Sequence, residues 1–320
     1  MNNTNCLKSY TTSPGNILIY GLSGDPPTGK YGHRGIIEYL VKNNNNKNIK
    51  NESLPKFDYI FILPTYKYAI PEKSGQQNTY KFRYKLIEKN FEGINDIIKV
   101  LPLEKEVLNY VQEKNKNRTS TGSYDVLSYL REKIPNAKFY WCSGADSFND
   151  CIDGYWGHSL EILATTGWIV IPRELKPRVR YADETILLLE KYKNENKNEK
   201  LANIITKITK IKNANNNNKK YKQYTLTKDE SKIMIETKLK VKYPNLKTDN
   251  FHFVNGGELQ NISSTQLRLN LQKLLTMNKN STEYINKIKE LTEKNGIILK
   301  QVLNLLLNSK NAKKRYGPSS

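Results

Sequence analysis

The segment Gly21-Leu22-Ser23-Gly24-Asp25-Pro26-Pro27-Thr28, with Gly32-His33 shortly after it, combines residue types suited to holding a phosphate. Glycines let the backbone approach an anion closely, and a helix starting at His33 would direct unpaired N–H groups at it. His33 itself can donate a hydrogen bond to a phosphoryl oxygen. An ordinary Gly/Pro turn with a helix-capping residue would read similarly. The segment, however, directly follows Ile17–Tyr20, an apolar run that reads as a buried strand, and that position favours phosphate. More than 200 residues later comes Ile262-Ser263-Ser264-Thr265-Gln266-Leu267-Arg268. Consecutive hydroxyls at a helix start, with an arginine one turn in, offer N–H donors, O–H donors and a fixed cation to a polyphosphate. Taken alone, the same residues make a good N-cap.

Elements able to position these segments follow from the hydrophobic pattern. Ile17–Tyr20, Phe57–Leu63, Ile97–Leu103, Lys138–Cys142 and Trp168–Ile171 read as strands, and Phe251–Val254 as another before the hydroxyl run. His33–Val41, Tyr80–Asn90, Tyr124–Lys133 and Tyr155–Ala164 read as helices between them, from apolar residues at helical spacing. Strands alternating with helices predict an α/β fold, a Rossmann-like parallel sheet with helices on both faces. Ligands of such sheets bind beyond the carboxyl ends of the strands, where both candidate segments fall. The boundaries expected are a polar N-terminal tail at 1–15, a main domain at 16–275, C-terminal helices at 276–308 and a tail at 309–320. An insertion occupies about 182–245. Its low-complexity part, Lys191–Lys222, is rich in Lys and Asn with a helical-looking island at Leu201–Ile211, and reads as a disordered excursion. Asn43–Asn51 reads as a mobile loop.

Composition narrows the function classes. Lys plus Arg is 52 against 31 Asp plus Glu, a formal charge of +21, which suits anionic partners. A bias towards Lys and Asn in loops would produce the same number. No RNP, KH, zinc-finger or basic-helix signature supports nucleic acid as the partner. Three cysteines without a CxxC pair and three histidines indicate neither a disulfide framework nor a zinc site. No apolar run reaches the ~18 residues that span a bilayer, and Met1–Pro14 lacks a secretory apolar stretch. A soluble, reducing compartment, cytoplasmic or nuclear, is therefore expected, with no membrane partner; the sequence leaves a homo-oligomer open.

Together the two segments resemble the nucleotidyltransferase superfamily with HxGH and ISSTxxR signatures, and in particular the nicotinate/nicotinamide mononucleotide adenylyltransferases. The family opening, GxTFDPPH or GxSFNPPT, is similar to Gly21–Thr28, with Ser23, Asp25, Pro26 and Pro27 in place. Ile262–Thr265 and Arg268 match ISST and its arginine without a gap. Leu63-Pro64-Thr65 with Arg83, Thr121-Gly122-Ser123-Tyr124, Gly144-Ala145-Asp146-Ser147 and Trp156 follow the family's order. The resemblance covers about 16–171 and 252–275. It implies transfer of AMP from ATP to a pyridine mononucleotide, with Mg2+ bridging the phosphates. His33, Arg268 and Lys30 would be catalytic. Gly21, Leu22, Ser23, Thr28, Gly32, His33, Gly144, Asp146, Ile262, Ser263, Ser264, Thr265 and Arg268 would bind ATP, with Asp146 and Gly144 against the ribose. Ser23, Lys73, Arg83, Thr121 and Trp156 would bind the mononucleotide, Trp156 by stacking on its pyridine ring. Core packing is the alternative for Trp156, and Lys67 competes with Lys73.

One departure bears on the chemistry. Gly29-Lys30-Tyr31 separates Thr28 from Gly32-His33, two residues more than the family has. Either Thr28 keeps its role on a looped-out backbone or Lys30 takes the first ligand position. Cytidylyl- or pantetheine-phosphate adenylyltransferase chemistry is the nearest rival, and a catalytically inactive relative is another.

Overall fold

The structure is a computed structural model, which describes residues 7, 10, 15–45, 54–68, 78–175, 182–196, 198–216, 225–254 and 264–316. The chain divides into two compact units, 1–139 with 256–320, and 140–255.

In the first unit the apolar runs predicted as strands form β1 (Asn16–Leu22), β2 (Tyr59–Pro64) and β3 (Ile98–Val100). They are parallel, with Ile17 beside Tyr59 and Ile60 beside Ile98. Ile17, Leu18, Ile19, Ile60, Phe61 and Ile62 are all buried, as expected of strands covered on both faces. The crossovers are helical: α1 (His33–Asn45) joins β1 to β2, and α2 (Tyr80–Phe91) lies between β2 and β3. A helix that the periodicity did not reveal, α3 (Leu103–Lys114), starts within the stretch expected as strand, which shortens β3. α4 (Ser123–Lys133) follows as expected.

The second unit repeats the logic with β4 (Lys138–Gly144), β5 (Gly167–Ile171) and β6 (Phe251–Phe253), again parallel. Between β4 and β5 lie α5 (Ala145–Ile152) and α6 (Ser159–Thr165). The helix expected from Tyr155 begins only at Ser159, because Gly154 and His158 adopt positive φ and turn the chain. Parallel strands with helical crossovers make the fold α/β and Rossmann-like, as the sequence predicts.

Two expectations are corrected. Much of 191–222 is helical, in α7 (Ala182–Asn196) and α8 (Lys200–Asn216), which pack on α9 (Lys228–Lys242). Leu201, Ile204, Ile208 and Ile211 are buried at spacings of three and four. The Lys/Asn composition conceals this apolar stripe, which is what orders a helix against neighbours. Residues 217–224 lie outside the described residues, as do 46–51 of the asparagine-rich loop. Nor is 309–316 a tail: after α10 (Ser264–Thr276), α11 (Thr282–Lys289), a π turn (Glu290–Lys294) and α12 (Lys300–Asn308), the chain forms α13 (Lys310–Tyr316). These C-terminal helices share one apolar cluster in the first unit, including Leu86, Leu267, Leu271, Leu303 and Tyr316. Among the described residues no helix is long and apolar enough to cross a membrane.

Candidate active site

The loop leaving β1 meets the start of α10, although about 240 residues separate them. Ser264 Oγ donates to the Pro26 carbonyl at 3.0 Å, and Arg268 Nη1 donates to the Asp25 carbonyl at 2.9 Å. Arg268 Nη2 also reaches Thr265 Oγ1 at 2.7 Å. Two of the five guanidinium donors are thus spent on the frame. Ile262 and Ser263 lie outside the described residues.

Within the loop Thr28 is fully buried and Lys30 is exposed. The Thr28 amide donates to His33 Nδ1 at 3.0 Å, and Thr28 Oγ1 lies 2.8 Å from the same nitrogen. A backbone N–H can only donate, so Nδ1 holds the lone pair and Nε2 is the ring's N–H donor. Thr28 Oγ1 in turn accepts the His33 amide at 2.8 Å. Gly32 passes close by, and a Cβ there would lie 2.1 Å from Thr28 Oγ1. That close approach requires glycine. Lys30 Nζ sits 5.2 Å from the centre of the Tyr31 ring. Thr28, not Lys30, therefore makes the contact with the histidine. The extra residues are accommodated by backbone bonds elsewhere, Gly29 N–H to the Ile297 carbonyl at 2.7 Å and Lys30 N–H to the Gly296 carbonyl at 2.9 Å.

The helix start does not present unpaired amides, as the sequence had suggested. The His33 amide is taken by Thr28 Oγ1, that of Arg34 by the Thr28 carbonyl and that of Gly35 by the Gly29 carbonyl. The looped backbone folds back to cap α1, so side chains must supply its donors to an anion.

Beneath the loop lies a buried polar frame. The Asp25 carboxylate accepts from Asn78 Nδ2 at 2.7 Å, the Asn78 amide at 3.2 Å and the Tyr316 hydroxyl at 2.6 Å. Arg315 Nη2 lies 3.2 Å from it. Arg83, expected to touch the mononucleotide, is buried and donates to the carbonyls of Asn78 (3.1 Å), Ser23 (2.7 Å) and Thr65 (2.6 Å). Its guanidinium holds the ends of β1 and β2 in place. Burial lowers its pKa, while Tyr68, Asp25 and Glu104 oppose that. Glu104, at the start of α3, accepts the Tyr66 amide at 2.8 Å. Burial raises its carboxyl to about 7, against the lowering effects of that amide and of Arg83. Gly21 and Leu22 end β1. Thr121 lies just before α4, whose first turn is closed by Asp125 accepting the Gly122 amide at 2.8 Å. Lys67 is exposed, 5.7 Å from the Tyr66 ring centre, and Lys73 lies outside the described residues.

The second unit holds the remaining candidates. Gly144 ends β4 and Asp146 occupies the first turn of α5. A Cβ on Gly144 would lie 2.4 Å from Asp146 Oδ1 and 3.1 Å from Arg173 Nε, so a side chain there would displace the ends of those two side chains. Arg173, two residues past β5, thus lies beside Gly144 and Asp146. Trp156 is half-buried, with its ring 5.7 Å from that of Trp141 (T-shaped) and 5.6 Å from that of Trp168. It is thus braced by two core tryptophans. Among the described residues no group of three or more His, Cys, Asp or Glu is placed to hold a metal.

No family model matches the chain, and neither does any curated protein. Solved structures do. Plasmodium falciparum nicotinic acid mononucleotide adenylyltransferase complexed with NaAD is 16% identical, with a TM-score of 0.48, covering 92% of this chain and 95% of that one. The same enzyme complexed with APC is 15% identical, with a TM-score of 0.46 and coverages of 91% and 94%. The neighbours are nicotinate mononucleotide adenylyltransferases.

Proposed function

We propose that the chain transfers AMP from ATP to nicotinate or nicotinamide mononucleotide, giving the dinucleotide and pyrophosphate. The observation that carries this reading is the meeting of the 21–33 loop with the start of α10. One frame brings together an N–H donor on His33, hydroxyls on Ser264 and Thr265, and the Arg268 cation. That set suits the phosphates of a nucleoside triphosphate.

An acceptor phosphate oxygen attacks the α-phosphorus of ATP. The bond from that phosphorus to the bridging oxygen of the β-phosphate breaks, and pyrophosphate leaves with the electron pair. The nucleophile is already anionic, so no protein base is needed, and catalysis consists of positioning and electrostatic stabilisation. His33 Nε2–H donates to the charged phosphoryl oxygens, Thr265 and Arg268 hold the β- and γ-phosphates, and Ser264 joins them by turning its hydroxyl away from the Pro26 carbonyl. Asp146 and Gly144 take the adenosine ribose, and Trp156 stacks on the pyridine ring. Mg2+ enters as MgATP, held by phosphate oxygens and water. The buried carboxylate under the loop, Asp25, already accepts from Asn78 and Tyr316. Arg83 enters as an organiser of the loop, and Lys30 has no role in transfer.

The test is chromatography of product after incubation with MgATP and each mononucleotide. Dinucleotide from at least one supports the reading. Turnover only with cytidine triphosphate, or with another phosphate acceptor, replaces it by a different nucleotidyl transfer.

A further inference from the structure

The C-terminal helices touch the phosphate loop at two places. The Gly296–Ile297 turn accepts the Gly29 and Lys30 amides, and the end of α13 reaches Asp25 through Tyr316 and Arg315. Tyr316 is only 2% exposed, and its ring belongs to the apolar cluster with Leu267 and Leu271 of α10. The short helix α13 thus packs on the helix that carries Thr265 and Arg268 and, through Tyr316, also reaches the carboxylate under the loop. The connection is short. Tyr316 holds the Asp25 side chain, the Asp25 carbonyl receives Arg268, and the next carbonyl, of Pro26, receives Ser264. Burial and the adjacent carboxylate hold the phenol's pKa far above its ordinary range, so its hydroxyl is a permanent donor.

We infer that Tyr316 is a positioning residue for the phosphate site, acting through Asp25 on the placement of the β1 loop and Arg268. The kinetic side of this inference rests on the proposed adenylyl transfer; the structural side does not. The C-terminal segment is then part of the active-site frame, although its residues need never touch substrate.

Tyr316→Phe deletes one hydroxyl and keeps the buried ring. It is measured in the full chain beside Leu306→Ala, a change in the same apolar cluster that leaves Asp25 alone. Expected for Tyr316→Phe is amide exchange in segment 24–33 faster by about tenfold. A kcat lower by about 10- to 100-fold should accompany it, with KM for the mononucleotide little changed. Arg315→Gln should shift both readouts the same way by less. Leu306→Ala should lower the melting temperature without speeding exchange in 24–33 relative to the rest of the chain. Wild-type exchange in that segment for Tyr316→Phe, or an equal loosening by Leu306→Ala, would overturn the inference and leave Tyr316 as core. Absence of turnover in the wild-type chain would instead sink the functional reading, and the exchange experiment would still decide the role of Tyr316.

Discussion

Asp25 in the first unit and Asp153 in the second are both buried carboxylates with a cation beside them, yet their surroundings lead to different places. Asp153 pairs with Lys238, both side chains 3% exposed or less, and Asn149 completes the set by accepting from Lys238 at 2.9 Å and donating to Asp153 at 2.9 Å. Side chains satisfy one another there, and the set joins α5 and its end to α9. The Asp25 set opens outward instead. Its backbone carbonyl and that of Pro26 receive Arg268 and Ser264, and the same loop runs on to Thr28 and His33. A closed polar cluster fixes helices relative to one another; one that continues into loop backbone fixes a site. Disturbing the first should cost stability alone, and disturbing the second should cost turnover.

The largest separation should come from His33→Ala. Removing a donor to a developing oxyanion typically costs ~10²–10³ in turnover, here expected with only a modest fall in melting temperature, from loss of the acceptor for the buried Thr28 amide. Thr28→Ala, which removes the hydroxyl contact with the imidazole and keeps the amide one, should lower kcat more than Lys30→Ala. A reversed order in steady-state kinetics would return Lys30 to the first ligand position. On the other side of the comparison, Lys238→Ala leaves a buried carboxylate unpaired, a loss of ~3–5 kcal/mol. Denaturant melts should register that loss, while kcat per folded molecule stays at the wild-type value. Burial lowers the lysine's pKa against the pull of Asp153, so an apolar Lys238→Met, Asp153→Leu pair should recover most of the loss. If that double variant folds well but loses turnover, the second cluster is not purely structural.

Smaller effects sharpen the contrast. Trp156→Ala should weaken mononucleotide binding by ~1–3 kcal/mol, as for base–aromatic stacking, and leave ATP affinity alone. Equal losses for both ligands in calorimetry would mean that its contacts with Trp141 and Trp168 are its whole role. The last effect, one of pH, concerns Glu104. Its folded pKa is raised to about 7 from an ordinary carboxylate value, so the folded state binds the extra proton. The stability tied to that proton is present below the unfolded pKa and is lost as pH rises towards and through 7. Glu104→Gln should flatten the dependence of melting temperature on pH between about 4.5 and 8. A slope equal to wild type would show that Glu104 ionises normally.

Much of this was legible in the sequence, and the reasons are local. Ile17–Tyr20 and Phe57–Leu63 announce buried parallel strands because both faces are covered and the apolar run is unbroken. Gly21–Thr28 and Ser264–Arg268 stand out because glycine, hydroxyls and arginine at strand and helix ends have few other uses in combination. The order of side-chain contacts was not legible. Nothing in the spacing shows that Arg83 turns to the carbonyls of Ser23 and Thr65, or that Tyr316 reaches back 291 positions to Asp25. The contact of Thr28 with His33 depends on where the loop backbone docks, on Gly296 and Ile297, a contact with no sequence signature. The helix α8 was hidden by composition, since lysines and asparagines outnumber the four apolar residues that fold it.

The most direct test of adenylyl transfer follows the phosphorus atoms. ATP labelled at either the α- or the γ-phosphate is incubated with the wild-type chain, Mg2+ and the preferred mononucleotide. The account predicts that the α label moves into the dinucleotide and that the γ label leaves as pyrophosphate. Transfer of the γ label to the acceptor, or its release as inorganic phosphate with the α label remaining in ADP, would contradict it.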